Sequence, residues 1–238
     1  VRIEPSPLSP VTRRESAQIR TGKEMLLMFL DVVSESKLVA ILRLESLDQA
    51  DRLVDTLLDA GVRCIEFTLT NRKAPAWVSK LVSEHPSFRT GQAYLGIGSV
   101  RTLEEAKLVL DSGTQFVVTP ITVPAVIDEC VRRNVPIACG AFTPTEIAQA
   151  WEHGANIVKV FPARGLGPNY IRDVLAPMPY LKLMPTGGID ASNAADYIHA
   201  GAVAVGVGGK LCSALHVEQG SWGAIRQAAV DVVKACRS

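Results

Sequence analysis

Several features are missing from this chain, and each absence excludes a class of function. No stretch approaches the roughly 18 consecutive apolar residues that a membrane-spanning helix needs. The longest candidate, Met25-Leu26-Leu27-Met28-Phe29-Leu30, is cut off by Asp31, so a soluble protein without a membrane partner is expected. There is no basic block of the kind that grips a phosphate backbone. Twenty-five Lys and Arg stand against 24 Asp and Glu, a formal charge of +1, which argues against a nucleic-acid partner. The five cysteines, at 64, 130, 139, 212 and 236, are odd in number and lack close pairs. That pattern fits neither a disulfide framework nor a zinc site, and suggests reduced thiols in the cytoplasm. Aromatic residues are scarce, 5% against 47% hydrophobic overall. The core must therefore be built from Ala, Val, Ile and Leu, as in parallel sheets flanked by helices rather than in a β-sandwich.

The first 24 residues hold three prolines, several serines and Arg13-Arg14, without an apolar secretion segment. Residues 1–21 read as a mobile extension ahead of a single domain over 22–238. A transit peptide is the alternative, against which Glu4 and Glu15 count.

From residue 38 onward, short β-branched runs alternate with longer amphipathic stretches, the pattern of repeated βα units. Eight strands are expected, at about 38–44, 64–70, 94–99, 115–120, 136–141, 157–162, 182–187 and 202–208. Ala60-Gly61, Ser112-Gly113, His153-Gly154 and Ala200-Gly201 each precede a strand, where a left-handed residue turns a helix back into the sheet. Thr143-Pro144-Thr145-Glu146 is a capping box that starts the helix after the fifth strand. One further helix, about 22–35, is expected to cover the N-terminal mouth. The fold class is α/β, a (β/α)8 TIM barrel with an extra N-terminal helix, and its chemistry is expected at the C-terminal strand ends.

The polar residues of the strands can be tested against that expectation. Lys159 interrupts the apolar run Ile157-Val158-Lys159-Val160-Phe161-Pro162. An amine in a low-dielectric interior tends to lose its proton, and a neutral amine attacks carbonyls to form a Schiff base. The plain alternative is an edge-strand lysine reaching for water. In Ile65-Glu66-Phe67-Thr68-Leu69-Thr70, alternation sends Glu66, Thr68 and Thr70 to the interior and the apolar set to the helices. A carboxyl there is suited to proton transfer, or else to a structural ion pair with a buried lysine. Arg43 ends the first strand, where a guanidinium suits a carboxylate, although a surface arginine opening a loop reads the same way. Cys139 either lines the interior or packs as a small apolar residue. Pro185-Thr186-Gly187-Gly188 and Gly206-Val207-Gly208-Gly209-Lys210 end the last two strands, the usual phosphate position of these barrels. Glycine pairs are also ordinary turn punctuation, and Lys210 either adds a charge or lies in solvent.

In this order, these segments resemble the 2-keto-3-deoxy-6-phosphogluconate and 4-hydroxy-2-oxoglutarate aldolase family. The likeness runs from about Leu38 to the end and includes Val39-Ala40-Ile41-Leu42-Arg43, Gly96-Ile97-Gly98-Ser99-Val100, Thr143-Pro144-Thr145-Glu146 and Pro185-Thr186-Gly187-Gly188-Ile189, together with the strands of Glu66 and Lys159. The resemblance implies a metal-free, cofactor-free class I aldolase with Lys159 as Schiff-base lysine and Glu66 as general acid/base. It implies that Arg43 and Thr186 hold the pyruvate portion, that Thr70 and Ser99 contact substrate, and that Gly187, Gly188, Gly208 and Gly209 line a phosphate pocket. It also implies a homotrimer acting on a 2-keto-3-deoxy sugar acid. The chain departs from many relatives at Ser99, where they carry threonine, at Thr70, where some carry arginine and where Arg72 offers a substitute, and at Gly209, where serine is usual. The fold also suits two rivals, a phosphosugar isomerase or epimerase using Glu66 alone, and a non-catalytic phosphometabolite-binding trimer.

Overall fold

A computed structural model describes residues 22–238; the expected extension over 1–21 lies outside the described residues. Helix α1 (Gly22–Ser36) leads into eight strands, β1 (Leu38–Leu42), β2 (Cys64–Thr68), β3 (Tyr94–Gly98), β4 (Val117–Val118), β5 (Ile137–Ala141), β6 (Ile157–Val160), β7 (Leu183–Pro185) and β8 (Val205–Val207). Helix α2 (Ala50–Asp59) follows β1, and α3 (Ala74–Glu84) with the short α4 (Pro86–Arg89) follows β2. Then α5 (Leu103–Asp111), α6 (Pro124–Arg132), α7 (Pro144–Glu152), α8 (Gly167–Leu175) and α9 (Ala194–His199) follow β3 to β7 in turn, with a 3-10 turn, Ala163–Gly165, ahead of α8. The short α10 (Ala214–Glu218) and the final α11 (Trp222–Arg237) follow β8. Every pairing is parallel, in the order β7-β6-β5-β4-β3-β2-β1-β8. The ring closes between β7 and β8 through an isolated bridge between Thr186 and Gly206 and a bond from Val203 N–H to the Leu183 carbonyl at 2.9 Å. This is the expected (β/α)8 barrel.

The helix boundaries follow the local chemistry. Gly61, Gly113, Gly154 and Gly201 all have φ between 77° and 104°, the left-handed turn expected after each helix. After α6 the same place is held by Asn134 at φ 56°, the non-glycine residue that best tolerates it. At α7 the capping box forms: the Thr143 hydroxyl accepts from Glu146 N–H at 3.3 Å, while Glu146 accepts from Thr143 N–H at 2.7 Å.

Each strand is shorter than its apolar run, β5 at its N-terminal end, β4, β7 and β8 at both ends and the others at the C-terminal end, where the chain turns into the loops. Arg43, Thr70, Ser99 and Phe161 therefore lie just past the paired backbone. The short α4, the 3-10 turn and α10 were not expected from the sequence pattern, since each is too brief to show a helical period.

Alternation divides the apolar residues into two cores. Ile65, Phe67, Leu95, Ile97, Val158 and Val160 face the helices and share one continuous cluster with them. Cys139 belongs to that outer cluster, so it packs as a small apolar residue and does not line the interior. The second cluster fills the lower barrel, where inward residues such as Cys64, Tyr94, Ile157 and Met184 meet Phe29 and Val33 of α1. The Phe29 ring stacks on Phe116 at 4.9 Å and meets Tyr94 edge-on at 5.3 Å. Helix α1 is therefore the floor of the barrel, as its apolar sequence predicts. Among the described residues no helix is long and apolar enough to cross a membrane, and the five cysteines are free and buried.

Phe29 is 1% exposed, and removing it leaves the floor open. Phe29→Ala is expected to cost about 3–5 kcal/mol of folding stability, measured by denaturant unfolding. A loss below about 0.5 kcal/mol, within the range of ordinary surface substitutions, would mean that α1 does not share the barrel core.

Candidate active site

Above that packed floor the barrel is hollow, because the inward positions of its C-terminal half carry glycine where the floor carries hydrocarbon. A Cβ at Gly98 would collide with the Glu66 carboxyl, and one at Gly206 would collide with the Thr186 hydroxyl. These glycines leave room for polar side chains and for solvent. The result is a cavity of about 1180 Å3 at the C-terminal ends of the strands.

The ten residues expected as catalytic, substrate-binding or phosphate-binding all line this one cavity. Arg43 enters from the end of β1, Glu66 and Thr70 from β2 and the loop after it, and Ser99 from the end of β3. Lys159 comes from β6, paired in register with Gly140 and Met184. Thr186, Gly187 and Gly188 follow β7, and Gly208 and Gly209 follow β8. Parity explains why they converge, since Val158 and Val160 point to the helices and force Lys159 inward.

Burial governs the chemistry of the two central groups. Glu66 is 1% exposed, and neither carboxyl oxygen has a hydrogen-bond partner among the described residues. Burial pushes its carboxyl above the usual carboxylate range, while the charges of Lys159 and Arg43 pull part of the way back. Lys159 is 6% exposed, with Nζ 5.2 Å from the centre of the Phe161 ring. Thus a carboxyl that holds its proton more tightly than an ordinary carboxyl shares one cavity with a primary amine. Reach for a substrate is supplied by hydroxyls around them. Thr68 and Thr70 are bonded to each other at 2.7 Å, and Thr186 sits buried above Gly206. Ser99 is held in the left-handed region at φ 63°, a conformation that non-glycine residues adopt sparingly and that turns the chain away from β3 at the cavity wall.

The wall also includes Arg72 and Lys210, whose roles the sequence left open, and Arg101 and Arg164, which it did not mark. With Arg43 and Lys159, six cations line a cavity whose only acid among the described residues is Glu66, so an anionic ligand is favoured. Sequence reading did not find Arg101 or Arg164 as site residues, because both lie in loops, where no strand parity marks the direction of a side chain. The interior glycines did leave a signal, in the spacing of two between Gly96 and Gly98 within an apolar strand.

The raised carboxyl makes stability depend on pH. Folded Glu66 keeps its proton after the unfolded chain has lost it, so its burial destabilises the fold increasingly as pH rises above the ordinary carboxylate range. The penalty levels off above the folded value. Glu66→Gln, facing the same Lys159 and Arg43, is therefore expected to gain stability relative to the parent chain as pH rises from acid through neutrality. Denaturant unfolding at a series of pH values measures the difference, and a difference that is flat or falls with pH contradicts the raised carboxyl.

Known proteins share the barrel and about a third of the sequence over most of it. The family model described as KDPG and KHG aldolase matches residues 30–228. A 2-dehydro-3-deoxy-phosphogluconate aldolase of Treponema pallidum is 32% identical over 73% of this chain and 80% of its own length. A 2-dehydro-3-deoxy-6-phosphogalactonate aldolase of Escherichia coli K12 is also 32% identical, over 73% of this chain and 83% of its own. A solved structure described as native KDPGal superimposes with a TM-score of 0.77 at 31% identity, covering 84% of this chain and 94% of that one. With most of the barrel matched at this level, the chain belongs to the KDPG and KHG aldolase family.

Proposed function

We propose that this chain is a class I aldolase that reversibly cleaves 2-keto-3-deoxy-6-phosphogluconate, or a related 2-keto-3-deoxy acid, to pyruvate and an aldehyde. Glyceraldehyde 3-phosphate is the aldehyde from the phosphorylated sugar acid, and glyoxylate the one from 4-hydroxy-2-oxoglutarate. The observation that carries this reading is the buried amine of Lys159 sharing a cavity with the unpartnered carboxyl of Glu66, in a chain of this family. Gluconate-type and galactonate-type aldolases both stand among the relatives.

The steps follow from those two groups. Lys159 Nζ attacks the C2 ketone, and the carbinolamine forms. Glu66, holding a proton because it is buried, gives it to the departing C2 hydroxyl, which leaves as water. The resulting iminium is an electron sink. Glu66, now a carboxylate beside two cations, takes the proton of the C4 hydroxyl, and the C3–C4 bonding pair moves toward the iminium. The C4 aldehyde departs and the enamine of pyruvate remains on Lys159. Protonation of that enamine at C3 by Glu66, and hydrolysis by water, release pyruvate and restore the amine. No metal or cofactor enters these steps.

The remaining roles divide along the cavity. Arg43 and Thr186 hold the carboxylate and keto end, Thr70 and Ser99 meet the hydroxyls, and the turns at Gly187-Gly188 and Gly208-Gly209 receive the phosphate. Residues 22–238 act as one catalytic unit in the cytoplasm, assembled as a homotrimer.

Incubation with pyruvate and borohydride, followed by mass spectrometry, tests the mechanism. An adduct of pyruvate mass on Lys159, absent from Lys159→Ala together with turnover, is expected. A folded chain that gives no adduct in excess pyruvate overturns the Schiff-base reading and favours an isomerase using Glu66 alone, or a binding protein.

A further inference from the structure

The cations of the cavity fall into two groups that differ in how they are held. On the β2–β3 side, Arg72 and Arg101 share the largely buried Glu105 carboxylate at 3.4 and 3.0 Å, and Arg101 N–H donates to it at 2.8 Å. Burial alone would raise that carboxyl, but these hydrogen bonds and the charge of Arg72 keep it lower than usual. Glu105 is thus an anion already in place, and it offsets much of the charge on this side.

On the β6–β8 side, the exposed Arg164 of the 3-10 turn and Lys210 after β8 line the same cavity. No ion pair among the described residues holds either one. Asp190 feels Lys210 only weakly, and its Oδ1 already accepts from Ser192 N–H at 2.9 Å and from the Ser192 hydroxyl at 2.5 Å. The Arg164 side chain lies along the turn after β7. A Cβ at Gly188, where φ is 80°, would stand 2.9 Å from Arg164 Cβ, 3.0 Å from Cγ and 3.1 Å from Nε. A Cβ at Gly209 would meet nothing within 4 Å, so the turn after β8 leaves open space in the cavity that Arg164 lines.

We propose that Arg164 is the specificity-determining residue for the far end of the substrate, closing with Lys210 on a phosphate monoester dianion set over the turns of β7 and β8. A guanidinium binds phosphate through two parallel charge-assisted bonds, and a flexible ammonium adds a second positive charge. On the β2–β3 side, Glu105 already holds both arginines and cancels one of their two charges, which weakens their pull on the same dianion. The inference rests on the aldolase reading for the nature of the substrate, although the anion site itself can be measured separately.

The test uses the full chain and two probes. Calorimetric titration with inorganic phosphate compares the parent chain with Arg164→Gln and Arg164→Lys, and exposure of the side chain makes folding insensitive to either change. Arg164→Gln is expected to weaken phosphate binding about ten- to a hundred-fold, with partial recovery in Arg164→Lys. In parallel, the ratio of kcat/KM for 2-keto-3-deoxy-6-phosphogluconate over its unphosphorylated counterpart is expected to fall by a similar factor. Unchanged phosphate affinity, no phosphate binding by the parent chain, or an equal loss on both donors overturns the proposal. Trapping of pyruvate on Lys159 of the parent chain reads the aldolase assignment independently. Phosphate binding that depends on Arg164 without any adduct would keep the anion site and remove the aldolase.

Discussion

An acid with no hydrogen-bond partner among the described residues lies inside the barrel, and the architecture around it is explained by the need to keep it there. Leaving a buried carboxyl unpartnered costs free energy, so the fold must over-determine its place. The packed floor beneath it does so, with Phe29, Tyr94 and Phe116 forming a rigid aromatic layer. The interior glycines set the space above: at Gly98 any side chain would occupy the volume that Glu66 takes. Hydrocarbon below and empty volume above convert a structural core into a reaction vessel within a few residues of each strand.

The same constraint links electrostatics to function. Protonated Glu66 is neutral and tolerates burial, whereas its ionised form is stabilised only by Lys159 and Arg43. A group whose two protonation states are both accessible in one place suits repeated proton transfer. The excess of cations along the wall extends this logic to the ligand. An anionic substrate brings the missing negative charge, so binding and the charge state of the site are coupled from the outset.

Legibility in the sequence tracked how local the determining physics was. The capping box at Thr143, the left-handed glycines behind four helices and the apolar strand runs are set by near neighbours, and the structure follows them. The α1 plug was expected as a helix over the N-terminal mouth, but the residues that fill it, Phe29 and Val33, were not, since Met25 and Leu27 of the same apolar run stay exposed. Strand ends were read one to three residues too long, since pairing stops through tertiary splay that an apolar run does not record. Arg101 and Arg164 escaped notice because loop side chains have no period. Cys139 kept two readings open until its strand's facing was known, as the direction of the whole strand, not the residue type, decides which side it takes.

By itself, the sequence determined the alternation of eight βα units and the inward parity of Glu66 and Lys159, because side-chain direction in a strand repeats every two residues and burial of the apolar set fixes the phase. It also determined the family, through ordered motifs that short-range physics alone does not require. Only the tertiary structure decided that residues as far apart as Arg43 and Gly209 share one cavity, since β8 pairs with β1 and sets the last strand beside the first. It alone decided which cations are already paired and which are free. Charge type is written in the sequence, but partners are set by distance in three dimensions.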